Sequence, residues 1–391
     1  MNELPLKGIR ILEFGGYIST PYASSLLCAL GADVVKVEKP KGGDDFRRGM
    51  NERSPYFVQY NAGKRSIAVD LKNPAGVDLV KRLLPTFDVV MQNVRPGKMA
   101  ALGLGPDDCT AINPDLIYVS VTGFGDGGPL RDRAAYDTIG QSISGLYTIL
   151  SDAGSPRISG TCVADLITGI TQAMGVLAAL VGRGRTGASH VVETSLMEAV
   201  STLTIDAFTQ YFDDDHQNPS RQSRHPQAQN FCVKTSSGDF IAIHLSSSQK
   251  FWRALLEAMD RPELADDPHF VDYFTRVDHY FELAKIVEGV FLQRSATEWE
   301  RRLTDADVPF APVLNMSEVI EHPQTEWLEL LEPEQDRLSL LRPPWKFGGS
   351  RPERKSKAPR VGQDTLAIAQ EAYDETTIQR LLADGVIFQD S

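Results

Sequence analysis

Metal-binding and disulfide patterns are missing from this chain. Its four cysteines, Cys28, Cys109, Cys162 and Cys232, show no CxxC or comparable spacing. They read as reduced, buried thiols. The seven histidines are scattered, with no HExxH or other paired-ligand spacing. No apolar run approaches the ~18 residues of a membrane span. The opening "MNELPLKGIRILEFGG" has no basic segment leading into an apolar one. Positive charge is also short: 40 lysines and arginines against 52 aspartates and glutamates leave a net charge of −12. That balance argues against nucleic acid or an anionic membrane surface as the main partner. An anionic small molecule would need a local basic pocket working against the overall field. Together these features predict a cytoplasmic protein without a metal centre.

What is present is an ordinary globular composition, 42% hydrophobic and 24% charged, over 391 residues. That length predicts two domains. Short β-rich runs ("GIRILEF", "DVVKVEKP", "RSIAVDL", "DVVMQNV", "DLIYVSVTG", "SHVVETSL") alternate with helix-like segments such as "YASSLLCALGA" and "NPAGVDLVKRLLPTF". The rhythm is that of βαβ units and a parallel sheet covered on both faces. "LITGITQAMGVLAALVGRG" is nearly free of charge, which predicts a buried helix. "DDDHQNPSRQSRHPQAQN" lacks a hydrophobic period and reads as a linker. The expected organisation is a Rossmann-like α/β domain of residues 1–212 and 316–391, a linker at 213–229 and a small α+β domain at 230–315. "FCVKTSSGDFIAIHL" reads as a hairpin and "RLLADGVIF" as a closing helix.

A dinucleotide enzyme is one reading. "GFGDGG" at 123–128 matches GxGxxG, and Glu38 ends the second strand where a ribose-binding acid would lie. That fingerprint belongs in the first βα turn, however, and there the chain reads "FGGYISTPYA", with only Gly15 and Gly16 followed by Pro21. The stretch "TCVADLITGI" at 161–170 is more informative. Asp165 heads an otherwise apolar or small run, either as a helix N-cap or as a nucleophile aimed into a cleft.

"LGADVVKVEKPKGGDDFR", "NAGKRSIAVDLKNPAG", "NVRPGKMAALGLG", "VTGFGDGGPLRDRAAYD" and "VADLITGITQAMGVLAAL" follow one another in an order and spacing that resemble the class III CoA-transferases. That superfamily also holds the α-methylacyl-CoA racemases. The likeness runs from "LKGIRILEFGG" to about residue 212 and continues more loosely beyond. It implies transfer of CoA from an acyl-CoA to a free carboxylic acid. Asp165 would pass through an aspartyl anhydride and an aspartyl-CoA thioester. A helix start would keep that carboxylate ionised. The family's racemases carry a histidine where this chain has Tyr136, followed by Asp137. A phenol of pKa ~10 is a poor base for an α-proton, so the transferase reading ranks above the racemase. A non-catalytic CoA-binding protein is a further alternative.

The resemblance also implies a seat for CoA. Lys39 lies where the family places an arginine near the adenosine phosphate. Val69, Asp70, Leu71 and Lys72 match the segment lining the adenine and phosphate site, and Asn93, Val94 and Arg95 match the next strand-end turn. Arg133 is a further phosphate contact by position. Ile18 stands where formyl-CoA transferase has an active-site glutamine, Ala101 where it has an arginine, and its glycine run has no counterpart. Arg221, Arg224 and His225 read either as receptors for a second carboxylate or as parts of a solvated linker. The implied partners are acyl-CoA, a small carboxylic acid such as a dicarboxylate, and a second copy of the chain in an interlocked homodimer. No permanently bound cofactor is implied.

Overall fold

The computed structural model describes residues 3–50, 54–152, 154–334 and 337–390. By its internal contacts the chain forms two units. One comprises Met1–Leu146, Ile158–Ile205 and Trp327–Ser391, the other Tyr147–Arg157 and Asp206–Glu326.

The first unit is built on a seven-stranded sheet. Its strands are β1 (Arg10–Phe14), β2 (Asp33–Glu38), β3 (Arg65–Val69), β4 (Val89–Gln92), β5 (Ile117–Thr122), β6 (Val191–Ser195) and β10 (Ile387–Phe388). They lie in the order β10-β3-β2-β1-β4-β5-β6. All neighbours are parallel except β10, which runs antiparallel to β3. The six strands expected from the β-rich runs all form. The predicted closing helix is cut short at Ala383, because Gly385, at φ +68°, turns the chain into β10.

Strand alternation explains both faces of this sheet. Leu12, Val35, Ile67, Val90 and Tyr118 point to one core, which the helices Pro74–Leu83 and Glu375–Ala383 close. Ile11, Val34, Val89, Met91, Ile117 and Val119 point to the other, covered by the helices Ser19–Ala29 and Val163–Thr186. Those two helices approach closely at Gly169, where a Cβ would lie 2.8 Å from the Ser19 carbonyl oxygen.

Two expectations are corrected here. The helix Val163–Thr186 is not buried all round, because only one side faces the core. Residues 170, 174, 178 and 181 share the opposite stripe, and Met174 and Val181 are 64% and 60% exposed. Its length and composition also meet the criterion for a membrane-crossing helix that the run-length reading had excluded. The buried side of this helix is nevertheless committed to a sheet core. Similarly, Cys28 and Cys109 are buried but Cys232 is exposed, since it sits on the outward register of its strand.

The second unit holds a three-stranded antiparallel sheet, β7 (Asn230–Lys234), β8 (Phe240–His244) and β9 (Phe310–Pro312), in that order. The predicted hairpin is the β7–β8 pair, turning through Gly238 at φ +96°. Trp252, Leu255, Val287, Phe291 and Trp299 fill the core between this sheet and its amphipathic helices. Within the stretch expected to be a linker, residues His225–Ala228 form a short helix.

Candidate active site

Chain order along the large sheet reverses between β1 and β4: β2 and β3 lie to one side, β5 and β6 to the other. A crevice opens at the carboxyl ends of strands where such a reversal occurs. A cavity of about 480 Å³ occupies that place. Its walls come from the segments after β1 (Gly15–Ser19), β2 (Lys39, Gly43–Asp45), β4 (Asn93–Pro96) and β5 (Gly123), together with Arg133–Tyr136 and Asp165.

Asp165 is the third residue of the helix Val163–Thr186, and Cys162 occupies the N-cap position without a side-chain cap bond. The cap comes instead from elsewhere in the chain. Asp137, the first residue of the helix Asp137–Ile143, accepts hydrogen bonds on Oδ1 from the backbone N–H groups of Ala164 (2.8 Å) and Asp165 (3.2 Å). Its Oδ2 accepts from Gln141 Nε2 at 2.6 Å. Asp137 therefore takes the orphan donors of the helix start that the sequence reading assigned to Asp165. Gly140 permits the packing that brings them together, for a Cβ there would lie 3.1 Å from that of Ala164.

Two effects follow for Asp165. Burial, and then the negative charge of Asp137, push its carboxyl up to about 7. The expectation that the helix start alone would keep it ionised is corrected: burial opposes the charge, and a second carboxylate, Asp137, already lies at that helix start. At neutral pH the group is divided between acid and carboxylate.

The other residues singled out from sequence divide into three sets. Lys39, Asn93, Val94, Arg95, Arg133 and Tyr136 share the cavity with Asp165. Asp137 stands behind it, on the Asp165 backbone. Val69, Asp70, Leu71 and Lys72 do not reach it: they end β3, one strand beyond β2. Val69 is buried in the core, and Asp70 donates its N–H to Val386 O at 2.8 Å. Gly76 lets a helix start press on this segment, since a Cβ there would lie 2.3 Å from Asp70 O. Lys39 pairs with Asp45 at 2.5 Å, whereas among the described residues no carboxylate pairs with Arg95 or Arg133. Asn93 shapes the site: its Oδ1 accepts from Gly16 N–H (3.0 Å), and its Nδ2 donates to Gly16 O (2.9 Å) and Ser19 Oγ (3.1 Å). Ile18 is also in the wall. Arg221 and Arg224 form ion pairs with Asp152 (2.5 Å) and Asp206 (2.7 Å) within the second unit. Both guanidiniums thus already have carboxylate partners.

Two features of the site escaped the sequence reading. The first is a chain of aromatic rings. Tyr136 meets Tyr17 edge-on at 5.6 Å, Tyr17 lies 5.7 Å from Phe46, and Phe46 stacks on Tyr60 at 6.3 Å. Burial, then the neighbouring Tyr136 and Asp45, raise the Tyr17 hydroxyl pKa. The second is a buried ionic cluster behind the β1 turn. Lys36 Nζ contacts Glu13 Oε1 (2.8 Å), Asp44 Oδ2 (2.9 Å) and Gly15 O (2.6 Å). Lys64 Nζ contacts Glu13 Oε2 (2.7 Å), Asn61 Oδ1 (2.9 Å) and Pro21 O (3.0 Å). Burial opposes the Glu13 charge, yet Lys36 and Lys64 bring its pKa down to about 2. Lys64, for which burial outweighs Glu13, falls to about 8. The signal was present in the sequence: Glu13 and Lys36 interrupt otherwise apolar strands, and the register pairs them side by side.

The sequence profile of CoA-transferase family III matches residues 6–365, and the chain belongs to this family. The succinyl-CoA:glutarate CoA-transferase of Mus musculus is 31% identical, over 98% of this chain and 91% of its own. The acetyl-CoA:oxalate CoA-transferase of Acetobacter aceti is 31% identical, over 94% of this chain and 95% of its own. The crystal structure of Rv3272 from M. tuberculosis superposes with a TM-score of 0.83 at 29% identity, covering 93% of this chain and 99% of that one. The chain is accordingly a CoA-transferase, with CoA thioesters as its class of substrate.

Proposed function

We propose that this enzyme moves CoA between carboxylic acids through covalent intermediates on Asp165, and that at least one of those acids is a short dicarboxylate. One observation carries the reading: Asp165 lies in the cavity wall in the first turn of the long helix Val163–Thr186, whereas Asp44 and Asp45 in the same wall are paired with Lys36 and Lys39, and Arg95 and Arg133 stand around the same cavity. In the first step a carboxylate oxygen of Asp165 attacks the thioester carbonyl and CoA leaves as thiolate, giving a mixed anhydride. The thiolate then attacks the Asp165 carbonyl carbon and releases the donor acid, leaving an aspartyl thioester. The acceptor carboxylate enters by the reverse sequence. Thioester is exchanged for thioester, so no external energy source is needed.

Arg95, Arg133 and Lys39 are the cations for the CoA phosphates on an otherwise acidic protein. Val69–Lys72 would join them only at the far end of an extended CoA molecule, because this segment lies outside the cavity. Tyr136 and Tyr17 form an apolar-bodied wall for the acyl group, and Tyr136 supplies no base for an α-proton. The dicarboxylate assignment rests on the names of the mouse and Acetobacter relatives. The homodimer and the cytoplasmic location belong to the same proposal. The exposed stripe at Met174 and Val181 is the kind of apolar surface that a second copy would cover.

Mass spectrometry after incubation in D₂O with succinyl-CoA and free glutarate or oxalate tests this reading. New acyl-CoA pairings, together with a CoA adduct on Asp165 that Asp165→Ala abolishes, are the expected result. Near-normal exchange by Asp165→Ala overturns the mechanism. Deuterium at the α-carbon without exchange replaces the transferase reading by a racemase.

A further inference from the structure

Tyr17, in the turn after β1, has a left-handed backbone at φ +61°. That region suits glycine, and a bulky side chain is an outlier there. Such a conformation persists where its surroundings over-determine it, and it concentrates at binding sites. Here the segments after β2 and β4 supply the constraint. Asp44 Oδ1 accepts hydrogen bonds from the N–H groups of Tyr17 (3.3 Å) and Phe46 (2.9 Å). Its Oδ2 pairs with Lys36 Nζ at 2.9 Å, which ties the turn to the buried ionic cluster. Asn93 grips the preceding residue at both Gly16 N and Gly16 O. The Tyr17 backbone therefore cannot withdraw without breaking contacts to two other strand ends.

The ring held in this way stands in the wall of the cavity that contains Asp165. It meets Tyr136 edge-on, with 5.6 Å between centroids and 74° between planes, and lies 5.7 Å from Phe46. Phe46 is buried, and its N–H is held by the same Asp44 oxygen, so one carboxylate sets two rings against each other. Both ends of the Tyr17–Tyr136 pair lead to the helix that presents Asp165. Tyr136 precedes Asp137, whose carboxylate accepts from the Ala164 and Asp165 N–H groups. Ser19, two residues after Tyr17, backs onto Gly169, one turn beyond Asp165. The pair thus bridges the crevice at its Asp165 end. Tyr17 and Tyr136 are 40% and 62% exposed, which leaves both rings open to a molecule in the cavity.

We propose that Tyr17 is a specificity-determining residue: its ring, braced by Tyr136 and Phe46, limits the length of the acyl group that fits beside Asp165. The inference deepens the proposed reaction and takes from it only the placing of the acyl group at Asp165. Short chains fit in front of the ring, and each further methylene meets a wall whose backbone is pinned.

The test measures binding of succinyl-, glutaryl-, adipoyl- and suberoyl-CoA by calorimetry, donors of equal charge that differ only in methylene count. The full chain is used with Asp165→Asn, which blocks turnover. With Tyr17 present, affinity should fall at least about tenfold from glutaryl- to suberoyl-CoA, the scale on which a shaped pocket discriminates methylenes. Adding Tyr17→Gly should remove that fall. Glycine takes φ +61° without strain, so this variant keeps the turn and loses the ring alone. Tyr17→Phe, which retains the ring without its hydroxyl, should keep the length dependence. In chains that retain Asp165, the kcat/KM ratios for the same donors should shift in parallel. Equal length dependence with and without the ring overturns the proposal, and so does its absence when Tyr17 is present. Failure of the covalent mechanism would show separately, as turnover surviving in Asp165→Asn, and would leave the binding comparison readable.

Discussion

Glu13 and Asp165 are both carboxylates withdrawn from water in the same unit, yet their chemistry is opposite. Burial alone would raise both. At Glu13 two ammonium groups within 2.8 Å reverse that effect and hold the group near 2. At Asp165 the nearest ionised neighbour is another carboxylate, and the group rises to about 7. Burial fixes how strongly a charge is felt, and the partner decides its sign. The paired acid is a structural anion at every physiological pH. The unpaired one titrates where an enzyme can use it.

The comparison can be broken most severely at the paired acid. Glu13→Gln leaves Lys64 without its anion and Lys36 with Asp44 alone. Removing one member of a buried ionic cluster typically costs about 3–5 kcal/mol, and urea denaturation at pH 7 should show a loss of that order. The pH dependence has a defined sign. Because the Glu13 pKa is depressed when folded, its contribution is complete above 4.5 and disappears as pH falls through about 2.

At Asp165 the sign is reversed. Its folded pKa lies above the unfolded value of 3.8, so the native state keeps the proton longer and stability falls as pH rises from about 3.8 to about 7, then levels off. Asp165→Asn is expected to stabilise the fold at pH 8 by on the order of 2 kcal/mol while losing turnover. Parallel melts at pH 5 and pH 8 check this: the gain should be smaller at pH 5 and disappear only as pH falls below the unfolded value of 3.8.

The smallest effect sharpens the comparison most. Asp137→Asn keeps an oxygen for the Ala164 and Asp165 N–H groups but removes the neighbouring charge. Asp165 should then ionise at lower pH, and the acid limb of kcat/KM should move down from about 7 by half a unit to one unit, roughly 1 kcal/mol. An acid limb that stays in place would show that Asp137 acts through geometry alone.

Much of this was legible from local pattern. Six β-rich runs and the helices between them specify the parallel sheet, because apolar stretches buried on both faces have few other solutions. The position of Asp165 at the head of a helix was equally plain. Its capping by Asp137 was not, since two residues 28 apart meet there only through the packing of Gly140. The cavity residues after β1, β2, β4 and β5 gather because strand ends converge at the reversal in strand order. Val69–Lys72 fall outside because β3 is one place farther along the sheet. The closing helix misread at "GVIF" turned on one glycine conformation, which composition does not reveal.

Gly169 has a final consequence. The helix that presents Asp165 rests on the Ser19–Ala29 helix at a point where a single methyl group would strike a carbonyl oxygen. The distance of the Asp165 carboxylate from the strand ends is therefore a backbone dimension, set one helical turn below the cavity. Side-chain rotamers around the cavity cannot readjust it. On the proposed mechanism, the reach of the Asp165 carboxylate toward an acid is gauged by an absent side chain.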